Sequence, residues 1–301
     1  MSQALVSFLT VNYQQAQVTL ELLKTLEQLS YTNWECIVVD NGGEASNLEE
    51  ECAAYSKVKY FRSEENLGFA GGNNFGYPHC SGDYIFLINN DTEVPSDFLE
   101  PLVSFAESNP KLGALSPLLQ YYEPKGVIQY AGATPMNRIT LRNSGIGAGE
   151  KDQGQYKKTY QTPFLHGAAM MLPRAVIDKV GLMREDYFLY YEELDWCERI
   201  RQAGFETWFV GLSFLWHKES VSTGVNSPLK TYYLNRNRLL FARRNYPWPI
   251  RLLNYIYFSL IALPKNILVF LKNGEKEQAR AFWRAYGYNM THKSSDSADR
   301  Y

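Results

Sequence analysis

Residues 35–43 read ECIVVDNGG, an uninterrupted apolar run that ends in an acid and a glycine turn. A short apolar run of this kind is typical of a strand that is buried on both faces. Similar runs occur at Ala4–Val11, Val58–Arg62 and Asp83–Asn89, and helical patterns such as Gln14–Leu29 lie between them. Strands that alternate with helices predict an α/β fold with a mostly parallel central sheet.

The second half of the chain is less regular. Scattered Gly, Pro, Thr and Tyr over residues 118–165 indicate hairpins and loops, and a strong helical pattern follows at Glu192–Ala203. Beyond Pro228 the pattern is helical, with interruptions at several prolines. We therefore predict two domains, an α/β domain over residues 1–222 that carries the chemistry and a helical, basic and aromatic extension over residues 223–301.

The formal net charge of −2 conceals an asymmetry, because residues 1–220 sum to −11 and residues 221–301 to +9. The basic residues alternate with long apolar runs, which favours contact with a membrane surface over contact with nucleic acid. The apolar stretch Leu252–Leu271 is interrupted by Asn254, Pro264 and Lys265, so its longest clean segment falls short of the roughly 20 residues that a span requires. We predict an interfacial helix that lies on the membrane; a core helix or a homodimer interface is the alternative.

The cysteines and the N-terminus bear on the compartment. Four cysteines occur without a CxxC pair, which predicts reduced thiols and excludes a disulfide scaffold and a zinc ribbon. The first residues, MSQ, lack the basic start of a signal peptide. We expect a cytoplasmic protein, peripheral on the inner face of the plasma membrane where the C-terminal helices meet lipid.

Two acids follow predicted strands. Asp40 closes the run CIVVD, and Asp91 stands directly after FLINN. Ligands of open α/β sheets bind outside the carboxyl ends of the strands, so both acids would face one crevice. Asp is also a common turn residue, and each acid alone fits that structural role equally well.

The stretch NLGFAGGNN, residues 66–74, predicts a glycine-rich turn followed by a short helix whose free N–H groups attract an anion. A dinucleotide-binding fold needs its glycines directly after the first strand, where this chain has VNYQQ at residues 11–15. The pattern therefore favours a different nucleotide-binding arrangement, with a ligand-free structural loop as the alternative.

Two further residues could take part in chemistry. Glu193 lies on the same helical face as Leu189, Trp196 and Ile200, so it is a carboxylate on an apolar stripe. Burial would raise its pKa and the helix N-terminus would lower it, and the sequence leaves the outcome open. His217 closes the run LWH, where it could ligate a metal ion or serve as a hydrogen-bonded core residue.

Taken in order, the segments VSFLTVNY, VVDNGG, NLGFAGGNN, INNDTEV, HGAAMMLPR, YYEELDWCERIRQAGF and WH resemble family 2 glycosyltransferases with the GT-A fold. They are most similar to the rhamnosyltransferase-like branch that builds bacterial cell-surface polysaccharides. The resemblance covers residues 4 to about 220, and YYLNRNRLLF resembles the same branch more loosely. It implies an inverting enzyme that moves rhamnose or a similar sugar from a nucleotide-diphosphate donor to a hydroxyl of a saccharide or lipid-linked acceptor.

The resemblance also implies roles for individual residues. The nucleotide of the donor would be bound by Asn12, Tyr13, Asp40, Asn41, Asn66, Gly72, Asn73 and Asn90. The triplet Asn89-Asn90-Asp91 stands in place of the family's DxD motif, which implies Mg²⁺ or Mn²⁺ on Asp91 with His217 completing the site. The sugar and acceptor side would be lined by His166, Gly167, Ala168 and Glu192.

Glu193 matches the second acid of the family's Glu-Asp pair and would be the catalytic base. This chain has Glu-Glu instead, and the extra methylene could move the carboxylate, with Asp195 as the alternative base. The implied donor is deoxythymidine-diphosphate-rhamnose first and a UDP-sugar second, and the implied acceptor is a saccharide or a polyprenyl-diphosphate-linked saccharide. The alternatives are a nucleotidyltransferase, a hydrolase that uses Asp91 and Glu193 as acid and base, and a membrane-associated nucleotide-sugar-binding protein without turnover.

Overall fold

The computed structural model describes residues 3–44, 46–218 and 227–292. Four strands of the first half pair in parallel in the order β3-β2-β1-β4. They are β1 Val6–Asn12, β2 Trp34–Asn41, β3 Val58–Ser63 and β4 Tyr84–Ile88. Every residue of β2 is buried, as its uninterrupted apolar run predicts.

The sheet continues as β4-β9-β6-β10-β5, with β7 paired to β6 and β8 paired to β10. β9 is antiparallel to both of its neighbours, whereas β10 runs parallel to β6. The prediction of a mostly parallel α/β sheet is confirmed. These strands are β5 Thr92–Glu93, β6 Leu112–Tyr121, β7 Ile128–Tyr130, β8 Thr159–Gln161, β9 Ala169–Pro173 and β10 Glu206–His217.

Six α-helices connect the strands, and short 3₁₀ turns occur at Tyr77–His79 and Glu185–Tyr187. Helix α1 shows the common pattern, because its leucines form one buried face while its polar residues stay outside. The helices are α1 Ala16–Leu26, α2 Leu48–Cys52, α3 Gly68–Gly76, α4 Glu100–Ser108, α5 Arg174–Val180 and α6 Glu192–Gln202. All four cysteines are free and buried, as expected.

The glycine-rich stretch differs from the prediction, because most of it is helix α3 itself and not a turn before a helix. A Cβ atom on Gly72 would lie 2.8 Å from Val11 Cγ1, and one on Gly76 would lie 2.4 Å from Leu9 Cδ1. These glycines therefore let the backbone of α3 lie directly against the sheet. Gly68 alone has the left-handed backbone of a turn, with a φ of +74°.

The C-terminal helices are α7 Pro228–Asn245, α8 Trp248–Tyr257, α9 Leu263–Lys272 and α10 Lys276–Thr291. A π-helical segment, Phe258–Ala262, joins α8 to α9, so Pro264 does not break the helix. The widened turn accommodates the proline, which lacks an N–H donor.

The expectation that this apolar segment is too short is therefore wrong. Trp248–Lys272 forms one helix of 25 residues that is long and apolar enough to cross a membrane by length and composition, and 22% of its most apolar window is buried.

Helix α7 packs against the α/β part of the chain. Leu239, Leu240, Phe241 and Ala242 are buried in the same hydrophobic core as the sheet. Helix α10 in turn packs against α7 and α9. The predicted domain boundary at residues 222 and 223 lies outside the described residues, so the division into two domains stays a prediction.

Candidate active site

A cavity of about 830 Å³ opens where β1, β2 and β4 end. This is the edge at which an open α/β sheet binds its ligands. Most of the residues predicted for the site line this cavity: Tyr13, Asn41, Asn66, Asn90, Asp91, His166, Gly167, Ala168, Glu192, Glu193 and His217. The fold thus brings together residues from both halves of the chain.

Asn12 and Asp40 do not line the cavity but are bonded to each other behind its wall. The Asn12 amide donates to Asp40 Oδ1 at 2.8 Å, and Asp40 Oδ2 accepts from the Tyr60 hydroxyl at 2.8 Å and pairs with Arg62 at 2.5 Å. Asn12 Oδ1 also accepts the N–H of Gln15, which fixes the start of α1. These two residues shape the wall, and their direct contact with a donor stays a prediction.

Gly72 and Asn73 likewise do not line the cavity. Gly72 faces Val11 and Asn41, and the Asn73 amide donates to the carbonyl of Phe69 within α3. Asn41 and Asn66 do reach the cavity, and Asn41 holds the loop before α3 by accepting the N–H of Leu67. The glycine stretch therefore positions this loop through helix packing.

Asp91 and His217, which are far apart in sequence, meet because β5 pairs antiparallel with the end of β10. His217 Nε2 lies 3.1 Å from Asp91 Oδ1, and His217 Nδ1 lies 2.8 Å from Gln129 Oε1. Because the Gln129 oxygen only accepts, Nδ1 carries a proton, and Nε2 faces Asp91. Asp91 Oδ1 is buried and makes no hydrogen bond.

This arrangement fits a divalent cation. His217 Nε2 and Asp91 Oδ1 face each other, the buried Asp91 oxygen makes no hydrogen bond, and Gln129 fixes the imidazole from behind as outer-shell partners of ligating histidines do. Within the described parts of the chain, no group of three or more His, Cys, Asp or Glu residues forms a complete metal site. The remaining ligands would come from phosphate oxygens and water, as is usual for Mg²⁺.

The two glutamates follow a strained backbone segment. Phe188, Tyr190 and Tyr191 have φ angles of 61°, 69° and 77°, and α6 begins at Glu192 directly after them. A residue other than glycine in this region costs about 1–3 kcal/mol, and it persists only where its surroundings hold it. The segment turns the start of α6 so that Glu192 and Glu193 line the cavity.

Helix α7 holds the strained segment in place. Arg236 donates to the carbonyl of Tyr187 at 2.8 Å, and the Asn237 amide lies within 2.9 Å of the carbonyls of Tyr187, Leu189 and Tyr190. Arg236 and Asn237 are both fully buried. The C-terminal extension therefore contributes directly to the geometry of the site.

The surroundings of Glu192 and Glu193 shift the pKa of each carboxyl group. Burial raises the pKa of Glu193 to about 7, against the opposing backbone N–H groups at the start of α6. Burial and the adjacent Glu193 raise the pKa of Glu192 well above its ordinary value, and Glu192 Oε2 is buried without a hydrogen bond. Both shifts favour the protonated form, and Glu193, with a pKa of about 7, is a carboxyl whose charge changes near neutral pH.

Asp195, the alternative base, does not line the cavity. It is fully buried, pairs with Arg184 at 3.2 Å and Arg199 at 3.0 Å, and accepts hydrogen bonds from Tyr187 and Asn245. Its carboxylate is fully occupied as a structural ion-pair partner, so Asp195 is not a candidate base.

His166 is a neutral donor on the cavity wall. Burial, together with the nearby His217, lowers the pKa of His166 to about 3. Its Nδ1 accepts the N–H of Ala168 at 3.2 Å, which leaves the ring proton on Nε2. A Cβ atom on Gly167 would lie 3.6 Å from Glu193 Cγ, an ordinary van der Waals contact, so Gly167 packs beside Glu193.

Sequence reasoning missed Gln129, Arg236 and Asn237. Gln129 lies within residues 118–165, where the sequence pattern is irregular, and it belongs to no recognisable motif. Arg236 and Asn237 lie within YYLNRNRLLF, whose resemblance to the rhamnosyltransferase-like branch marked the stretch but not its contacts.

Structural comparison identifies the fold. The chain is similar to GalNAc-T7 solved with UDP, GalNAc and Mn²⁺, with a TM-score of 0.68 and 16% identity, over 96% of this chain and 58% of that one. It is also similar to the mannosyltransferase PcManGT of Pyrobaculum calidifontis solved with GDP-Man and Mn²⁺, with a TM-score of 0.58 and 13% identity, over 97% and 88% of the two chains. The predicted GT-A fold with C-terminal helices is confirmed.

The model of glycosyl transferase family 2 matches residues 7–181, and the chain belongs to this family. A low-salt glycan biosynthesis hexosyltransferase of Haloferax volcanii, Agl10, is 25% identical over 85% of this chain and 81% of its own. The dTDP-rhamnosyl transferase RfbF of Shigella flexneri is 24% identical, over 82% and 86%. An N-acetylglucosaminyl-diphospho-decaprenol L-rhamnosyltransferase of Mycobacterium tuberculosis is 22% identical, over 77% and 82%. The predicted rhamnosyltransferase-like resemblance is confirmed, and the chain is a glycosyltransferase.

Proposed function

We propose that this glycosyltransferase inverts the anomeric centre as it moves rhamnose or a similar hexose from a nucleoside-diphosphate donor to a polyprenyl-diphosphate-linked saccharide. One observation carries the proposal: a carboxylate with a pKa of about 7, Glu193, and the Asp91–His217 pair line one cavity. The names of the Shigella and Mycobacterium relatives support the choice of sugar and acceptor.

Glu193 would act as the general base. As the acceptor oxygen forms its bond to the anomeric carbon, the acceptor proton passes to Glu193 and the bond between that carbon and the diphosphate oxygen breaks. Attack on the face opposite the leaving group inverts the centre in this single displacement. Glu192 would stay protonated and donate a hydrogen bond to a sugar oxygen.

The leaving diphosphate would lie at Asp91 and His217. These residues would hold Mg²⁺ or Mn²⁺, which when bound supplies Lewis-acid neutralisation of the charge that develops on the leaving group. The Nε2–H of His166 would add a neutral donor on the same side. Tyr13, Asn41, Asn66 and Asn90 would contact the nucleoside, with Asn12, Asp40, Gly72 and Asn73 supporting them from behind.

The C-terminal helices would rest on the inner face of the plasma membrane. Large apolar side chains stand out from α8, α9, α10 and the π-helical segment, and we call this the lipid-facing surface. Its most exposed members are Trp248, Leu260, Leu268 and Trp283, at 66%, 72%, 67% and 61%. Basic residues such as Lys265 and Lys272 accompany them, which suits an anionic leaflet.

A direct test measures nucleoside diphosphate release from dTDP-rhamnose, UDP-sugars and GDP-sugars. The acceptor is a polyprenyl-diphosphate-linked N-acetylglucosamine, and NMR reads the anomeric configuration of the product. We expect acceptor-dependent release with inversion, from dTDP-rhamnose above the other donors. Retention at the anomeric carbon would contradict the mechanism. Release without an acceptor would indicate a hydrolase, and pyrophosphate release from a nucleoside triphosphate and a sugar phosphate would indicate a nucleotidyltransferase.

A further inference from the structure

A second cavity, of about 230 Å³, lies among α7, α9, α10 and the loop at Arg142. Among the described residues, its charged lining is cationic and consists of Arg142, Lys230 and Arg238. No Asp or Glu among the described residues lines it. A concave site with three positive charges and no acid is suited to a polyvalent anion.

The three cations have no ion-pair partner within residues 3–44, 46–218 and 227–292. Arg142 is exposed, and Lys230 and Arg238 are half-buried. Arg238 Nε donates to the Tyr191 hydroxyl at 3.2 Å, a neutral partner that leaves the positive charge uncompensated. Like charges held together at partly buried positions repel each other, and a bound anion would relieve that repulsion.

The position of the cavity indicates the kind of anion. Lys230 lines both this cavity and the active-site cavity, and Arg142 is followed by Asn143, which lines the active-site cavity. On the other side, Phe270 of α9 lines the second cavity next to Leu271, which is 52% exposed on the lipid-facing surface. The cationic cavity therefore lies between the sugar-transfer site and the apolar helices.

We propose that this cavity binds the diphosphate of a polyprenyl-diphosphate-linked acceptor. In such a molecule the diphosphate lies between the saccharide and the polyprenyl chain. In the protein the cationic cavity likewise lies between the active site and the lipid-facing surface. The inference rests on the proposed function for its acceptor but assigns a site that the transfer chemistry does not require. A phospholipid headgroup carries one phosphodiester, so three clustered cations favour a diphosphate over a headgroup.

The test compares the binding of the full chain to three kinds of vesicle: phosphatidylcholine alone, phosphatidylcholine with a polyprenyl diphosphate, and phosphatidylcholine with phosphatidylglycerol at matched charge. The variants are Arg142→Gln, Arg142→Gln/Lys230→Gln, and the matched control Lys111→Gln/Lys125→Gln, which removes two exposed charges from the α/β part of the chain, away from the cavity and the lipid-facing surface. We expect the polyprenyl diphosphate to strengthen wild-type binding. In the double variant, the strengthening of binding by polyprenyl diphosphate should be about 10-fold or more smaller than in wild type, because two charge-assisted contacts disappear. The control should keep it.

Equal weakening on phosphatidylglycerol and on polyprenyl diphosphate vesicles would overturn the proposal in favour of general headgroup attraction, as would an undiminished gain in both cavity variants. Arg142 is exposed and lines the second cavity but not the active-site cavity. The result for Arg142→Gln is therefore independent of any folding defect that a buried substitution could cause. Binding of a donor nucleotide to the same samples separates the two proposals. A chain that binds nucleotide but not the diphosphate lipid refutes only the acceptor site, whereas a chain that binds the lipid but no nucleotide refutes the proposed function.

Discussion

Glu192 and Glu193 are neighbours in sequence and line the same cavity, yet their surroundings differ. Glu192 is buried without a partner for Oε2, whereas Glu193 is half-buried and near the backbone N–H groups that begin α6. Two carboxyl groups whose pKa values are pushed apart in this way can divide acid and base roles between them.

We expect Glu193→Gln to lower turnover by about 100- to 10,000-fold, the range that a positioned general base contributes. Binding of the donor nucleotide should be unchanged, because the substitution preserves shape and removes only the proton acceptor. Steady-state turnover and nucleotide titration of the same sample measure the two effects.

Glu192→Gln is the matched control, since glutamine imitates a protonated glutamate. Its turnover should stay within about 10-fold of wild type, a far smaller loss than a missing base causes. If Glu192→Gln were the severe variant and Glu193→Gln the mild one, the base would be Glu192 and the assignment here would be wrong.

The pH dependence follows from the same group. A glutamate ordinarily titrates at about 4.3, and the pKa of Glu193 is raised to about 7. Because the base must be ionised, kcat/KM should rise with pH until about pH 7 and then level off. If kcat/KM instead fell only below about pH 5, the base would be an ordinary, solvated carboxylate.

At the scale of single elements, α7 acts on the active site through the backbone of the segment before α6. Asn237→Ala would remove the amide that bonds the carbonyls of Tyr187, Leu189 and Tyr190. We expect the free energy of unfolding to fall by about 1–3 kcal/mol, because buried carbonyls lose their donor. Denaturant unfolding measures this loss.

The same variant should lower kcat more than it raises KM, since Glu193 follows the segment directly at the start of α6. Gln202→Ala, at the exposed end of α6 where the Gln202 amide donates to Glu198, is the control and should stay within about 0.5 kcal/mol of wild type. An Asn237→Ala protein with unchanged kcat would show that α7 stabilises the fold without positioning the base.

Local patterns predicted the elements well and their contacts less well. The runs around ECIVVD gave β1 to β4 nearly to the residue, because a buried strand leaves an unbroken apolar signature. The meeting of Asp91 with His217 depends on β5, a strand of two residues that has no periodicity to detect. The sequence predicts a turn where the glycines of α3 lie. Glycine permits both a tight turn and a close helix–sheet approach, and sequence alone does not separate the two.

At the scale of the whole molecule, the chain combines an acidic α/β body with basic helices that carry exposed apolar residues. The charge asymmetry and the apolar runs are visible in the sequence, whereas the division into two domains stays a prediction. The burial of Leu240 and Phe241 in the core of the sheet was not predictable, because it depends on which face of α7 meets the body. Helix α7 thus belongs to the active site as much as to the extension.

We expect Leu260→Glu/Leu268→Glu to abolish binding to anionic vesicles while nucleotide binding persists, because both residues are exposed and neither lines the active-site cavity. Vesicle flotation measures the loss. Leu212→Glu, an equally exposed leucine at 65% on β10, is the control and should bind like wild type. A double variant that floats normally but changes from dimer to monomer would assign the apolar surface to a second copy of the chain.

The central claim is that Asp91 and His217 hold a divalent cation against the diphosphate of a nucleotide-sugar. The most direct measurement is thermal unfolding with dTDP, UDP, GDP or ADP, each with and without Mn²⁺, on wild type and on Asp91→Asn. A ligand at 100 times its Kd stabilises the folded state by about 2.7 kcal/mol. We predict that one nucleotide, dTDP first, raises the unfolding temperature more with Mn²⁺ than without, and that Asp91→Asn removes the Mn²⁺ increment. A nucleotide shift that is the same with and without Mn²⁺, or an increment that survives in Asp91→Asn, would contradict the account.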